Sequence, residues 1–103
     1  MPKLIIRDRD QTALMDLGLE EGLVIGRSQG CGLPIQAPRA SRRHAEILPA
    51  TEPPSDGASH RLRDLQSTNG TLLNGAPFTG EVLLTDGDTL DVGGCQITYR
   101  LQP

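Results

Sequence analysis

The chain has 103 residues, a net charge of −3, 36% hydrophobic residues and only 2% aromatics, which leaves room for one domain around one core of Leu, Ile and Val. An acidic chain with so few rings to stack bases is a poor nucleic-acid binder, because that role needs a basic surplus to displace counterions. No apolar stretch approaches membrane-spanning length, and Met1-Pro2-Lys3 leads into a short apolar run broken by Arg7 and Asp8, not into a signal peptide.

Taken in chain order, Leu4 to Ile6 is a compact apolar run that suits a strand. Ala13, Met15, Leu17 and Leu19 occupy one parity; Gly18 and Gly22 argue against reading that segment as a short helix. Leu23 to Ile25 is a second compact run. Ala45 and Ile47 flank Glu46, and residues 49–59, polar and Pro-rich, are expected to form a loop. His60 is expected at an exposed strand edge. Leu62 lies between Arg61 and Arg63, Leu90 and Val92 alternate with Thr89 and Asp91, and Ile97, Tyr99 and Leu101 alternate with Thr98 and Arg100. Period two therefore dominates over 3.6.

The separators are turn dipeptides: Asn69-Gly70, Asn74-Gly75, Asp86-Gly87 and Gly93-Gly94, residues that tolerate the positive φ of tight turns. Many short strands at close spacing with no amphipathic helix predict an all-β sandwich, and neither a repeat nor a second domain interrupts residues 1–103. Cys31 and Cys95 are too few to staple a secreted scaffold. They are expected to be buried or partly buried free thiols instead of a disulfide, in a reducing, cytoplasmic setting.

Four fragments carry chemistry, and their order matters more than any one of them. They are Gly26-Arg27 after a strand, Ser41-Arg42-Arg43-His44 before one, Ser67-Thr68-Asn69-Gly70-Thr71 after one, and Asn74-Gly75. Separately they read as a strand end, a solvated basic face and hairpin turns. Together they make an anion site, because a sandwich delivers its connecting loops to one end. A phosphate monoester carries about −1.5 to −2 charge. Arg27 and Arg42 can offer it charge-assisted donors, and Ser41 and Thr68 hydroxyl donors. Asn69 has a donor and an acceptor with which to hold a peptide backbone beside the phosphate.

From about Leu23 to Leu101 these fragments, followed by Asp86-Gly87-Asp88-Thr89-Leu90, resemble the forkhead-associated (FHA) domain. The resemblance implies an FHA-like β-sandwich of two sheets with about eleven strands and its ligand loops at one end. It implies phosphate contacts from Arg27, Ser41, Arg42 and Thr68, and a ligand-backbone contact from Asn69. Gly26, His44, Gly70 and Asn74 match supporting positions: His44 as a brace behind the loops, Gly26 and Gly70 where the backbone turns tightly, Asn74 as a structural residue close to the peptide path. The implied function is non-catalytic, phosphothreonine-dependent binding of proteins marked by Ser/Thr kinases, with no cofactor, metal, nucleic acid or membrane. One departure is Gly32-Leu33-Pro34-Ile35, where many relatives carry an acidic-apolar pair; it leaves the strand start there undefined.

Rival readings are weaker. Ser41, His44 and Asp64 contain the atoms of a catalytic triad, but no Gly-x-Ser-x-Gly elbow is present. Cys31, His44, His60 and Cys95 lack metal-ligand spacing. The remaining alternative is an adaptor or oligomerisation module of the same fold that binds partners without phosphate.

Overall fold

The computed structural model describes residues 2–8, 11–17, 22–49, 60–78 and 80–101, and over these the chain forms strands and no helix. The strands are β1 (Lys3–Asp8), β2 (Gln11–Asp16), β3 (Leu23–Gly26), β4 (Leu33–Pro34), β5 (Ala45–Pro49), β6 (His60–Asp64), β7 (Thr71–Leu73), β8 (Ala76–Pro77), β9 (Glu81–Leu83), β10 (Thr89–Val92) and β11 (Cys95–Arg100). They make a six-stranded sheet in the order β2-β1-β11-β10-β7-β8 and a five-stranded sheet in the order β4-β3-β5-β6-β9. The all-β sandwich expected from the alternation is the observed architecture.

Each sheet buries one face because its strands alternate. In β11, Cys95, Ile97 and Tyr99 are buried while Gln96 and Arg100 are exposed; Leu90 and Val92 are the buried pair of β10. From the other sheet come Ile25, Ala45, Ile47 and Leu62, all fully buried. Burying one such aliphatic side chain stabilises the fold by about 1.5–3 kcal/mol, which a one-residue register slip would forfeit along the whole strand. The Gly93-Gly94 turn pins that register by pairing Val92 with Cys95, with φ of 63° and 98° at its two central residues. Segment 11–16 is a strand paired along β1, and Leu17 beyond it is buried; Leu19 lies outside the described residues.

Around Gly32-Leu33-Pro34-Ile35 the chain forms the two-residue strand β4, parallel to the end of β3, pairing Ile25 with Leu33 and Gly26 with Pro34. Pro34 is tolerated because β4 is an edge strand, where no further neighbour needs its missing N–H. The segment expected as a loop begins one residue later than the composition suggests: Pro49 still pairs with His60. Residues 50–59 lie outside the described residues.

The expectation for His60 was wrong. It is fully buried, on a strand flanked by β5 and β9, and its Nδ1 lies 2.8 Å from the Tyr99 hydroxyl. The rings meet edge to face at 5.6 Å. Tyr99, the chain's single tyrosine, cannot be buried with its hydroxyl unpaired. His60 supplies that partner and ties β6 to β11 across the two sheets. Both cysteines are buried free thiols, and burial together with Asp8 and Asp91 pushes the Cys95 thiol up to about 12. No helix among the described residues is long and apolar enough to cross a membrane.

Candidate functional site

Segment Arg39–Ser41, between β4 and β5, is the hub of one end of the sandwich. Two chain segments distant in sequence hold it, together with the residue that leads into β5. From the end of β3, the Arg27 backbone N–H donates to the Ser41 carbonyl at 3.0 Å, and Arg27 Nε donates to the Ala40 carbonyl at 2.5 Å. From the β6–β7 loop, the Thr68 N–H donates to Ser41 Oγ at 3.0 Å, and Asn69 Nδ2 donates to the Arg39 carbonyl at 2.8 Å. Just before β5, His44 Nδ1 accepts the Ser41 N–H at 2.9 Å.

These bonds determine what each side chain still has to offer. Ser41 Oγ accepts from Thr68, so its own proton is free to donate outward. Arg27 is fixed through Nε, which leaves its terminal nitrogens, on an exposed side chain, without a partner among the described residues. Thr68 is exposed and its hydroxyl has no partner among the described residues. Asn69 keeps its oxygen and one N–H. Arg42 follows Ser41 and lines a shallow depression with Arg27 and Ser28.

Gly26 is required by proximity, not by a turn. Its φ is not left-handed, but a Cβ there would overlap the Arg42 carbonyl oxygen and stand 2.7 Å from the Arg42 carbonyl carbon. The close approach allows the Ser28 N–H to reach the Arg42 carbonyl at 3.1 Å. The same oxygen accepts from the Cys31 thiol at 3.1 Å. Gly70 does adopt positive φ, 78°.

His44 is fully buried beneath the loops. Since Nδ1 accepts a backbone N–H, the ring proton sits on Nε2, which donates to the Gly70 carbonyl at 2.8 Å. One ring thus spans the serine loop and the β6–β7 loop. Both nitrogens are consumed by backbone groups, so His44 is not placed as a base toward Ser41 Oγ, and Asp64 does not orient it.

Asp64 instead organises the β6–β7 loop. Its Oδ1 accepts from Ser67 Oγ at 2.6 Å and Thr71 Oγ1 at 2.7 Å, and Oδ2 from the Ser67 N–H at 3.1 Å. Burial alone would raise its pKa; the hydrogen bonds from Ser67 and Thr71 outweigh this and hold the carboxyl below its ordinary value. Its position three residues before Ser67, the spacing of a side chain capping its own loop, was the available signal for this role.

Asn74 is not at this end. It holds the far end of β7: its side chain donates to Asp88 at 2.9 Å and accepts the Thr89 N–H at 3.0 Å, tying the β7–β8 turn to the start of β10. The remaining residues of the expected set, Arg27, Ser41, Arg42, Thr68 and Asn69 with Gly26, His44 and Gly70, are brought together.

Electrostatics reinforce the grouping. Among the described residues Lys3, Arg63 and Arg100 each pair with a carboxylate, whereas Arg27, Arg39, Arg42 and Arg43 pair with none, as do Arg7 and Arg61 elsewhere on the sheets. In a chain of net charge −3, this is a cationic end built of uncommitted guanidinium groups beside free hydroxyl donors. Such an arrangement recognises a compact oxyanion.

The profile of the FHA domain matches residues 23–93. FhaA of Mycobacterium tuberculosis, an FHA domain-containing protein, is 40% identical over 84 residues, which are 81% of this chain and 15% of FhaA. The crystal structure of the FhaA FHA domain complexed with the intracellular domain of Rv3910 superposes with a TM-score of 0.80 at 33% identity, covering 97% of this chain and 100% of that one. A structure from an analysis of phosphothreonine-dependent FHA domain interactions gives 0.73 at 32% identity, covering 98% of both chains. The matched stretch runs from β3 to the β10–β11 turn and so contains every loop that meets at the Arg39–Ser41 hub; this chain belongs to the FHA domain family.

Proposed function

We propose that this domain binds proteins phosphorylated on threonine, with the phosphate received by Arg27, Ser41, Arg42 and Thr68 and the adjoining peptide backbone held by Asn69. The observation that carries this is the state of Ser41: its Oγ accepts the Thr68 N–H, which leaves its proton available to a ligand acceptor beside the anchored Arg27. That set suits a doubly charged ester with several acceptor oxygens, which it can meet with charge-assisted bonds stronger than any it would make to a neutral side chain. The relation to a family with phosphothreonine-dependent members supports the same reading.

Binding is the whole of the domain's chemistry in this reading, since the only histidine at the site is spent on the backbone. Residues 1–103 act as one domain that reads marks written by a Ser/Thr kinase in the cytoplasm, where the free thiols of Cys31 and Cys95 persist. A few charge-assisted hydrogen bonds, set against association costs, give an affinity on the order of micromolar. The test is a peptide array probed in phosphothreonine, phosphoserine and unmodified versions. Hits restricted to the phosphorylated forms, strongest for phosphothreonine, are expected. Equal binding to the unmodified peptides would replace this reading with that of a phosphate-independent adaptor.

A further inference from the structure

The Gly93-Gly94 turn stands out in the sequence and has no part in the anion site as described so far. Its two glycines differ in surroundings. A Cβ on Gly94 would enter open space, whereas a Cβ on Gly93 would overlap the Ala40 backbone nitrogen and lie 2.6 Å from its Cα and 2.8 Å from its Cβ. Ala40 itself is 3% exposed. Its carbonyl receives Arg27 Nε, the next residue is Ser41, and the preceding carbonyl receives Asn69.

We propose that Gly93 is a positioning residue of the phosphate site. Its bare α-carbon lets the β10–β11 turn back directly onto the Arg39–Ser41 segment and so sets where the Arg27 guanidinium and the Ser41 hydroxyl stand. The six-stranded sheet thereby supports a site whose ligand-facing groups come from the other sheet and its loops. A side chain at position 93 needs about 3.5–4.0 Å to its neighbours, so the segment must give way by roughly 1 Å, more than the ~0.5 Å to which a binding constellation must be held. The inference rests on the reading of this end as a phosphothreonine site.

Gly93→Ala is expected to weaken binding of a phosphothreonine peptide at least tenfold, measured by calorimetry well below the melting temperature. Gly87→Ala is the control: Gly87 sits at the opposite end of β10, has φ of 88°, and has open space around its Cβ position, so it carries left-handed strain without the clash. It should bind as the parent does. In ligand-free protein, the Arg27 Nε–H and Ser41 N–H resonances should move in Gly93→Ala and stay in Gly87→Ala. Equal affinities for the two variants would overturn the proposal. If the parent domain binds no phosphothreonine peptide, the functional reading falls, and the ligand-free resonances still decide: unmoved, they overturn the role of Gly93; moved, they uphold it. Should Gly93→Ala not fold, Ala40→Val crowds the same contact from the other side; undiminished affinity there overturns the proposal, and a tenfold loss supports it.

Discussion

The Thr68 backbone N–H donates to Ser41 Oγ at 3.0 Å across 27 residues of sequence, so the atom that is to meet the ligand also joins two loops. Ser41→Ala removes the ligand donor and releases an exposed N–H that water can satisfy. The expected loss is one hydrogen bond to a charged group, about 1.5–3 kcal/mol or 10- to 150-fold in affinity. Stability should change by less than about 1 kcal/mol, because the freed N–H is not buried. Calorimetric titration and a thermal melt of the same sample check both halves. Unchanged affinity would remove Ser41 from the site.

Arg27 separates charge from geometry. Its Nε is held by the Ala40 carbonyl, and only the two remaining nitrogens face outward. Lysine keeps the charge but has neither the fork nor a second nitrogen with which to hold Ala40. Arg27→Lys is therefore expected to lose most of the binding that Arg27→Ala loses, tenfold or more in each case, with melting temperatures within about 4 °C of the parent. Titration of both variants against one phosphopeptide checks this. Near-normal affinity for the lysine variant would mean that the site reads charge alone.

Strand identity was legible because it is a local property. Leu90 and Val92, or Ile97 and Tyr99, declare their buried face within four residues. The loop motifs were legible as chemistry only together, through their order along the chain, since each alone reads as a strand end, a solvated basic face or a hairpin turn. Spatial proximity was not. Gly26 reads as a turn residue until the Arg42 carbonyl is seen against it, and Gly93 until Ala40 is. His60 misled because its reason for burial, the Tyr99 hydroxyl, lies 39 residues away and leaves no trace in the neighbouring sequence. Its parity with Leu62 was the one local hint.

His44 should behave unlike the ligand-facing residues. It is fully buried and satisfies the Ser41 N–H and the Gly70 carbonyl at once. His44→Ala orphans both groups and opens a cavity. A cost of about 2–4 kcal/mol follows, equivalent to a melting temperature lower by roughly 10–25 °C. Affinity measured on the protein that remains folded should fall as well, because the ring joins the loops that carry Ser41 and Thr68. Thermal denaturation monitored by circular dichroism, followed by titration at low temperature, gives both numbers. A variant as stable as the parent would show that His44 braces nothing.

Asp64 gives the site an acid-sensitive support whose sign is fixed by its hydrogen bonds. Its carboxyl is lowered from an ordinary value of 3.8 in the folded chain, because Ser67 and Thr71 donate to the charged form. A depressed folded value means that the unfolded chain takes up the proton first as pH falls. The contribution is therefore complete above about 3.8 and is lost as pH drops through the lower folded value. Asp64→Asn should be less stable than the parent at neutral pH, and the gap between their melting temperatures should close between about pH 5 and pH 2. The asparagine variant should also bind phosphopeptide several-fold more weakly at pH 7, since the loop that presents Thr68 and Asn69 loses its organising charge. Melting curves across that pH series are the measurement. A gap that stays constant down to pH 2 would assign the stabilisation to the shape of the side chain instead of its charge.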